Sequence, residues 1–73
     1  LWVEQQENKD KLHRLIAQKL SGRERQIILM RYGIGGNDPM TQQQVCEILG
    51  ISRSYVSRLE TKAIKILKDN YMY

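Results

Sequence analysis

Arg53 and Arg58, with Ser54, Ser57 and Thr61 around them, are the residues of this 73-residue chain whose types and spacing best suit a defined chemistry. A guanidinium can donate two parallel hydrogen bonds to guanine O6 and N7, and short hydroxyls can bond several bases or phosphates. Lys62, Lys65 and Lys68 follow as compact charges of the kind that meet a phosphate backbone. Between Ile51 and Lys68 there are five basic residues and one acid, Glu60, whereas the rest of the chain holds seven of each sign. The whole net charge of +4 therefore sits in that segment. A clustered basic stripe is the footprint of a polyanion partner, although on charge alone a solvated helix face fits as well.

Groups of this kind need an element that aims them. On a helix advancing ~100° per residue, Leu59, Ala63, Ile66 and Leu67 fall within roughly 80° of Val56 and form an apolar stripe. Ser54, Ser57, Arg58, Thr61, Lys65 and Lys68 fall on the opposite side. Ser52 is a good N-cap for this helix, which is predicted to run to about Asp69. Before it, "TQQQ" reads as a capping box, Thr41 with Gln44, opening a short helix that ends at Gly50. Val45, Leu49, Ile51, Val56 and Leu59 fall where two such helices bury side chains against each other. Cys46 falls at their closest approach, where a small side chain fits, so it reads as a small buried hydrophobe and not a reactive thiol. The pair, over about 41–69, is a helix-turn-helix, whose second helix enters the major groove of duplex DNA with its N-terminal turns. The first helix then points its N-terminus, near Thr41 and Gln42, at a phosphate.

The remaining elements are helical too. Leu12, Leu15, Ile16 and Leu20 give one stripe on a helix predicted from Val3 or Asn8 to Leu20. "SGRE" predicts a second capping box, Ser21 with Glu24, opening a helix that carries Ile27, Ile28, Met30 and Tyr32 and stops at Gly33. "GIGGNDPM", Gly33 to Met40, holds three of the five glycines and the one proline and reads as a loop. No stretch alternates with period two for long enough to be a strand. The expected fold is all-α: four helices in a single domain over 1–73, with the helix-turn-helix at its C-terminal end. Arg31 and Glu60 are expected to pair beneath the last helix and fix its angle. Trp2 and Tyr71 to Tyr73 either pack on the first helix or fray.

Other classes find little support. One cysteine allows no internal disulfide, and with one histidine it cannot build a four-ligand zinc site. No metal or cofactor is expected. No apolar run approaches the ~18 residues of a membrane span, and no signal peptide is visible. "GIGG" lacks the preceding strand and the full spacing of a phosphate loop, and no nucleophile–base pair or carboxylate pair stands in a recognisable site, so an enzyme is not expected. His13 reads as surface or helix margin. A protein-interaction module whose basic face binds an acidic partner remains a rival.

"LSGRERQIILMRYGI", then a loop, then "MTQQQVCEILGISRSYVSRLETKAIKIL" resembles region 4 of bacterial sigma-70-family sigma factors. The "SRSYVSRLE" stretch is similar to the sporulation types sigma-E and sigma-K. The resemblance spans about Leu12 to Leu67. It implies promoter −35 recognition, docking on the β-subunit flap of RNA polymerase, an anti-sigma factor as a further class of partner, a monomer, and a cytoplasmic, nucleoid-associated location. It places base contacts at Arg53, Ser54, Ser57 and Arg58, and backbone contacts at Thr41, Gln42, Gln43, Tyr55, Thr61, Lys62 and Lys65. The sequence starts at Leu1 with no methionine, so a piece of a longer chain is expected; nothing here resembles the family's promoter-melting region, so this chain alone is not expected to open DNA. Leu29 departs from the family pattern: it falls on the expected outer face of the second helix, as plain exposed surface or, less simply, as part of a docking patch. Response-regulator DNA-binding domains share an "L-x-x-R-E" helix and stand as the alternative, many of them acting as dimers.

Overall fold

A computed structural model describes residues 6–71, with side chains from Lys9 onward. Trp2, Met72 and Tyr73 lie outside the described residues. Four helices follow one another: α1 (Gln6–Lys19), α2 (Gly22–Tyr32), α3 (Gln42–Leu49) and α4 (Arg53–Tyr71). There is no strand among the described residues.

The apolar residues sort into two clusters, and the helix period explains how. Ile27 and Ile28 are neighbours on α2, about 100° apart around its axis, and each is fully buried in a different cluster. Ile28 joins Leu12, Leu15, Ile16 and Leu20 from the first helical segment and Ala63 and Leu67 from the end of α4. Ile27 joins Val45 and Cys46 of α3 and Val56 of α4. The helix α2 is thus the wall between the clusters, and α4 runs along both. At ~1.5 Å per residue α4 is about 28 Å long, against a longest molecular dimension of 33 Å. Burying each Leu, Ile or Val contributes about 1.5–3 kcal/mol relative to exposure.

Both glycine stops behave as anticipated. Gly33 and Gly50 close α2 and α3 with φ of 67° and 69°, a left-handed conformation that costs an L-residue about 1–2 kcal/mol. In each case the following residue also donates back into the helix: Ile34 N–H to Leu29 O at 3.1 Å, Ile51 N–H to Cys46 O at 3.2 Å. This is the six-to-one bond of a Schellman cap, with the apolar contact that accompanies it. At Gly33 there is a second constraint, since a Cβ would stand 2.6 Å from Asn37 O.

The two capping boxes part company. Thr41 and Gln44 form theirs in full: Thr41 Oγ1 accepts from Gln44 N–H at 3.1 Å, and Gln44 Oε1 accepts from Thr41 N–H at 2.9 Å. Ser21 makes no side-chain cap bond to α2. The expected Ser21–Glu24 box is absent because Glu24 turns to α4, where its Oε2 lies 3.4 Å from Lys62 Nζ. That contact is an ion pair without hydrogen-bond alignment, which leaves Oε2 without a hydrogen bond. The junction is held from the other side: Arg25 donates to the carbonyls of Ile16, Ala17 and Leu20 at 3.3, 2.6 and 2.6 Å. One guanidinium so bonds three carbonyls around the end of α1, where the last turn leaves acceptors without helical partners.

Leu29 is not plain exposed surface. It is half-buried and packs against the first cluster, as does Ile34 from the loop. With His13, Ile16, Ala17, Arg25, Ile34 and Gly35 it lines a shallow apolar groove of about 200 Å³. Tyr71 is packed on α1: its ring lies 4.5 Å from Lys11 Nζ, which also donates to Tyr71 O at 2.9 Å.

Candidate nucleic-acid interface

The turn between α3 and α4 is Gly50, Ile51 and Ser52. Ser52 Oγ accepts from Tyr55 N–H at 3.2 Å and so caps α4. From that cap the helix presents Arg53, Ser54 and Arg58 to solvent, all exposed. Among the described residues neither arginine forms an ion pair or a side-chain hydrogen bond. Arg58 does lie over the ring of Tyr55, 5.7 Å from its centroid. A cation at that distance from a ring is attracted by about 0.5–1 kcal/mol at an exposed site. Ser57 is half-buried, at the margin between the polar and apolar faces, and reaches out less than its three neighbours.

Towards the C-terminal end Thr61, Lys62, Lys65 and Lys68 are exposed. Lys62 is paired with Glu24 and Lys65 with Asp69, the latter at 3.3 Å. The Lys65–Asp69 pair is exposed on both sides and worth about 0–1 kcal/mol, so a phosphate can displace Asp69; in the other pair Lys62 is exposed and Glu24 half-buried.

At the start of α3, Thr41 and Gln43 are exposed, and Gln43 Nε2 donates to Glu47 Oε1 at 2.9 Å. Gln42 does not present its side chain outward. Its Nε2 donates to Glu60 Oε1 at 3.1 Å, and the residue is half-buried. The side chain expected at a phosphate is thus committed within the fold, leaving its backbone N–H in the first turn.

The expected Arg31–Glu60 pair is present and belongs to a larger network. Glu60 is 7% exposed, on the inner face of α4. Its carboxylate accepts from Arg31 Nε at 2.8 Å, Tyr32 Oη at 2.7 Å and Gln42 Nε2 at 3.1 Å. Arg31 also donates to Met40 O at 2.6 Å and so ties the loop before α3 into the same knot. Burial by itself would raise the Glu60 carboxyl, but the three hydrogen bonds and the Arg31 charge outweigh it and hold the group below its ordinary value. The Tyr32 hydroxyl is pushed up to about 12, first by burial and then by its bond to the Glu60 carboxylate. Both groups therefore stay in the forms that make the network across the neutral range. Tyr32 reads in the sequence as one more apolar residue of α2. Its role needs the crossing of α2 over α4, which no local pattern encodes.

Among the described residues no group of three or more His, Cys, Asp or Glu is placed to hold a metal. No helix of those residues is long and apolar enough to cross a membrane. Cys46 is buried among Ile27, Val45 and Val56, and its thiol lies 3.1 Å from Gln43 O.

Comparison with known proteins agrees with this geometry. The family model of sigma-70, region 4, matches residues 17–69. Over 50 residues, 68% of the chain, the sequence is 52% identical to the RNA polymerase sigma-E factor of Clostridium acetobutylicum, covering 21% of that protein. It is 47% identical over 45 residues to the RNA polymerase sigma-28 factor of Bacillus thuringiensis, covering 62% of this chain and 19% of that one. Against the RNA polymerase sigma-K factor of Bacillus subtilis it is 44% identical over 45 residues, 62% of this chain and 15% of that one. The chain spans about a fifth of the length of the curated relatives it matches. No solved structure matches it.

Proposed function

The chain belongs to the sigma-70 family, as its region 4, and from that premise we propose that it is the promoter-recognising domain of a sigma factor, reading the −35 element for RNA polymerase. The reading places it in the bacterial cytoplasm, at the nucleoid, with no chemistry of its own. One observation carries it: Arg53 and Arg58 stand exposed and without ion-pair partners at the N-terminal end of a helix anchored from behind by a buried carboxylate network. In this reading α4 lies in the major groove with Arg53 and Arg58 as the principal base readers and Ser54 beside them. Ser57, set back at the face margin, contributes at closer approach. Thr41, Gln43, Tyr55, Thr61, Lys62 and Lys65 meet the backbone, joined by the free N–H groups of the first turn of α3. Gln42 takes part through its main chain.

The polymerase partner has a surface available. The groove beside Leu29 is lined from α1, α2 and the following loop, with no residue from α3 or α4. In this reading the β-subunit flap docks there, so that DNA and polymerase would be held by different parts of the domain.

Selection from a library of random duplexes at two salt concentrations tests the DNA half. A preferred site should emerge, and Arg58→Ala should relax the preference at one base pair, at a cost of about 1–3 kcal/mol. Equal weakening on all sequences would remove base reading from Arg58. For the polymerase half, Leu29→Arg should abolish binding to core enzyme while leaving the duplex preference in place.

A further inference from the structure

We propose that Glu60 is a positioning residue for DNA reading, and that the side chain of Gln42 acts through it rather than by touching DNA. The inference rests on the function proposed above and deepens it. Glu60 stands on the buried side of the same helix whose opposite side carries Arg58. Its carboxylate is gripped by two donors from α2 and one from the first turn of α3. Through Arg31 the grip extends to Met40, the residue just before the Thr41 cap. The phosphate-facing end of α3 and the base-facing turns of α4 are therefore fastened to one carboxylate.

The geometry has a specific consequence. Apolar contacts are non-directional and tolerate small sliding or rotation of a helix. Hydrogen bonds of 2.7–3.1 Å from three directions do not, since they weaken steeply with misalignment. Bidentate contact with a base edge demands the same angular accuracy, whereas contact with a phosphate at the end of a lysine does not. A loosened clamp should thus damage selectivity between sequences more than overall attraction to DNA.

The test uses the 73-residue chain and three variants, Glu60→Gln, Tyr32→Phe and Gln42→Leu, each checked for folding by circular dichroism. For each, affinity is measured for the preferred duplex and for a scrambled duplex of equal length at one salt concentration. Each variant should lose about tenfold in the ratio of the two affinities, equivalent to ~1.4 kcal/mol, with binding to the scrambled duplex changed less than twofold. In the Glu60→Gln background, Gln42→Leu should have no further effect. Folded Tyr32→Phe and Gln42→Leu proteins that keep the wild-type ratio would show that the network only stabilises the fold. An additional loss from Gln42→Leu in the Glu60→Gln background would show that the Gln42 side chain meets DNA itself. Either result overturns the proposal. Failure of the underlying function looks different: the unaltered chain would then show no preference among duplexes.

Discussion

Removing Arg31 and removing Glu60 should have very unequal effects, although they belong to one ion pair. Glu60 is 7% exposed, so in Arg31→Met its carboxylate stays desolvated without its counter-charge. Breaking a buried pair from one side costs about 3–5 kcal/mol. Tyr32 and Gln42 still donate to the carboxylate, which reduces the expected loss to about 2–4 kcal/mol. Glu60→Met is milder. The side chain of Arg31 is 26% exposed and keeps its bond to Met40 O, so the remaining cation has both water and an acceptor. About 0–2 kcal/mol is expected there. A chain of this length has about 4–11 kcal/mol of total stability, so the first change removes a large share and the second does not. The double variant, in which neither charge is left alone, should be more stable than Arg31→Met. Urea unfolding followed by circular dichroism at pH 7 measures all three. Equal losses for the two single variants, or a double variant whose loss is their sum, would refute the argument that an orphaned carboxylate dominates.

Stability should fall at both extremes of pH. The Glu60 carboxyl lies lower in the folded chain than in the unfolded one, so its contribution is present above the ordinary carboxylate value and lost as pH falls through the folded value. The Tyr32 hydroxyl moves from 10.0 to about 12, so its contribution is complete below 10 and lost as pH rises towards 12; unfolding midpoints across this range should show both drops, and Tyr32→Phe should flatten the alkaline one. Gly33→Ala should cost on the order of 2–4 kcal/mol, from its left-handed φ together with the contact at Asn37 O. Gly50→Ala, whose Cβ meets open space, should cost only the backbone strain of about 1–2 kcal/mol; equal thermal shifts would remove the steric part. Glu24→Gln should release Lys62 and tighten DNA binding several-fold at about 50 mM salt, with the gain shrinking towards 200 mM; unchanged affinity at low salt would mean that Lys62 does not meet phosphate.

The sequence carries what depends on neighbours along the chain. The Thr41–Gln44 box, the Ser52 cap and the glycines at 33 and 50 are local devices, and each stands where its motif put it. The helix-turn-helix was legible because its apolar positions obey one period on both sides of one glycine. The Arg31–Glu60 pair was legible from positions at the core margins. What failed depends on where helices cross. Ser21 and Glu24 have the right spacing for a cap, but Lys62 is 38 residues further on and attracts Glu24 away. Arg25 caps α1 only because α2 folds back against it. Leu29 is partly covered because Ile34 returns over it from the loop. Gln42 would be free on an isolated α3; the buried carboxylate of α4 captures it. Membership of the sigma-70 family sets aside the response-regulator alternative, which the "L-x-x-R-E" helix alone could not do.

The long last helix keeps its two sides apart. Val56, Ala63 and Leu67 are fully enclosed, while Arg53, Ser54 and Arg58 are exposed. The vocabulary of this domain can therefore be rewritten without rebuilding its grammar: on the proposed reading, exchange at 53, 54 or 58 should alter which duplex sequence is preferred, with little cost to folding, because these side chains are exposed. If that reading holds, several copies of such a scaffold could direct one partner to separate sets of sites through a handful of codon changes.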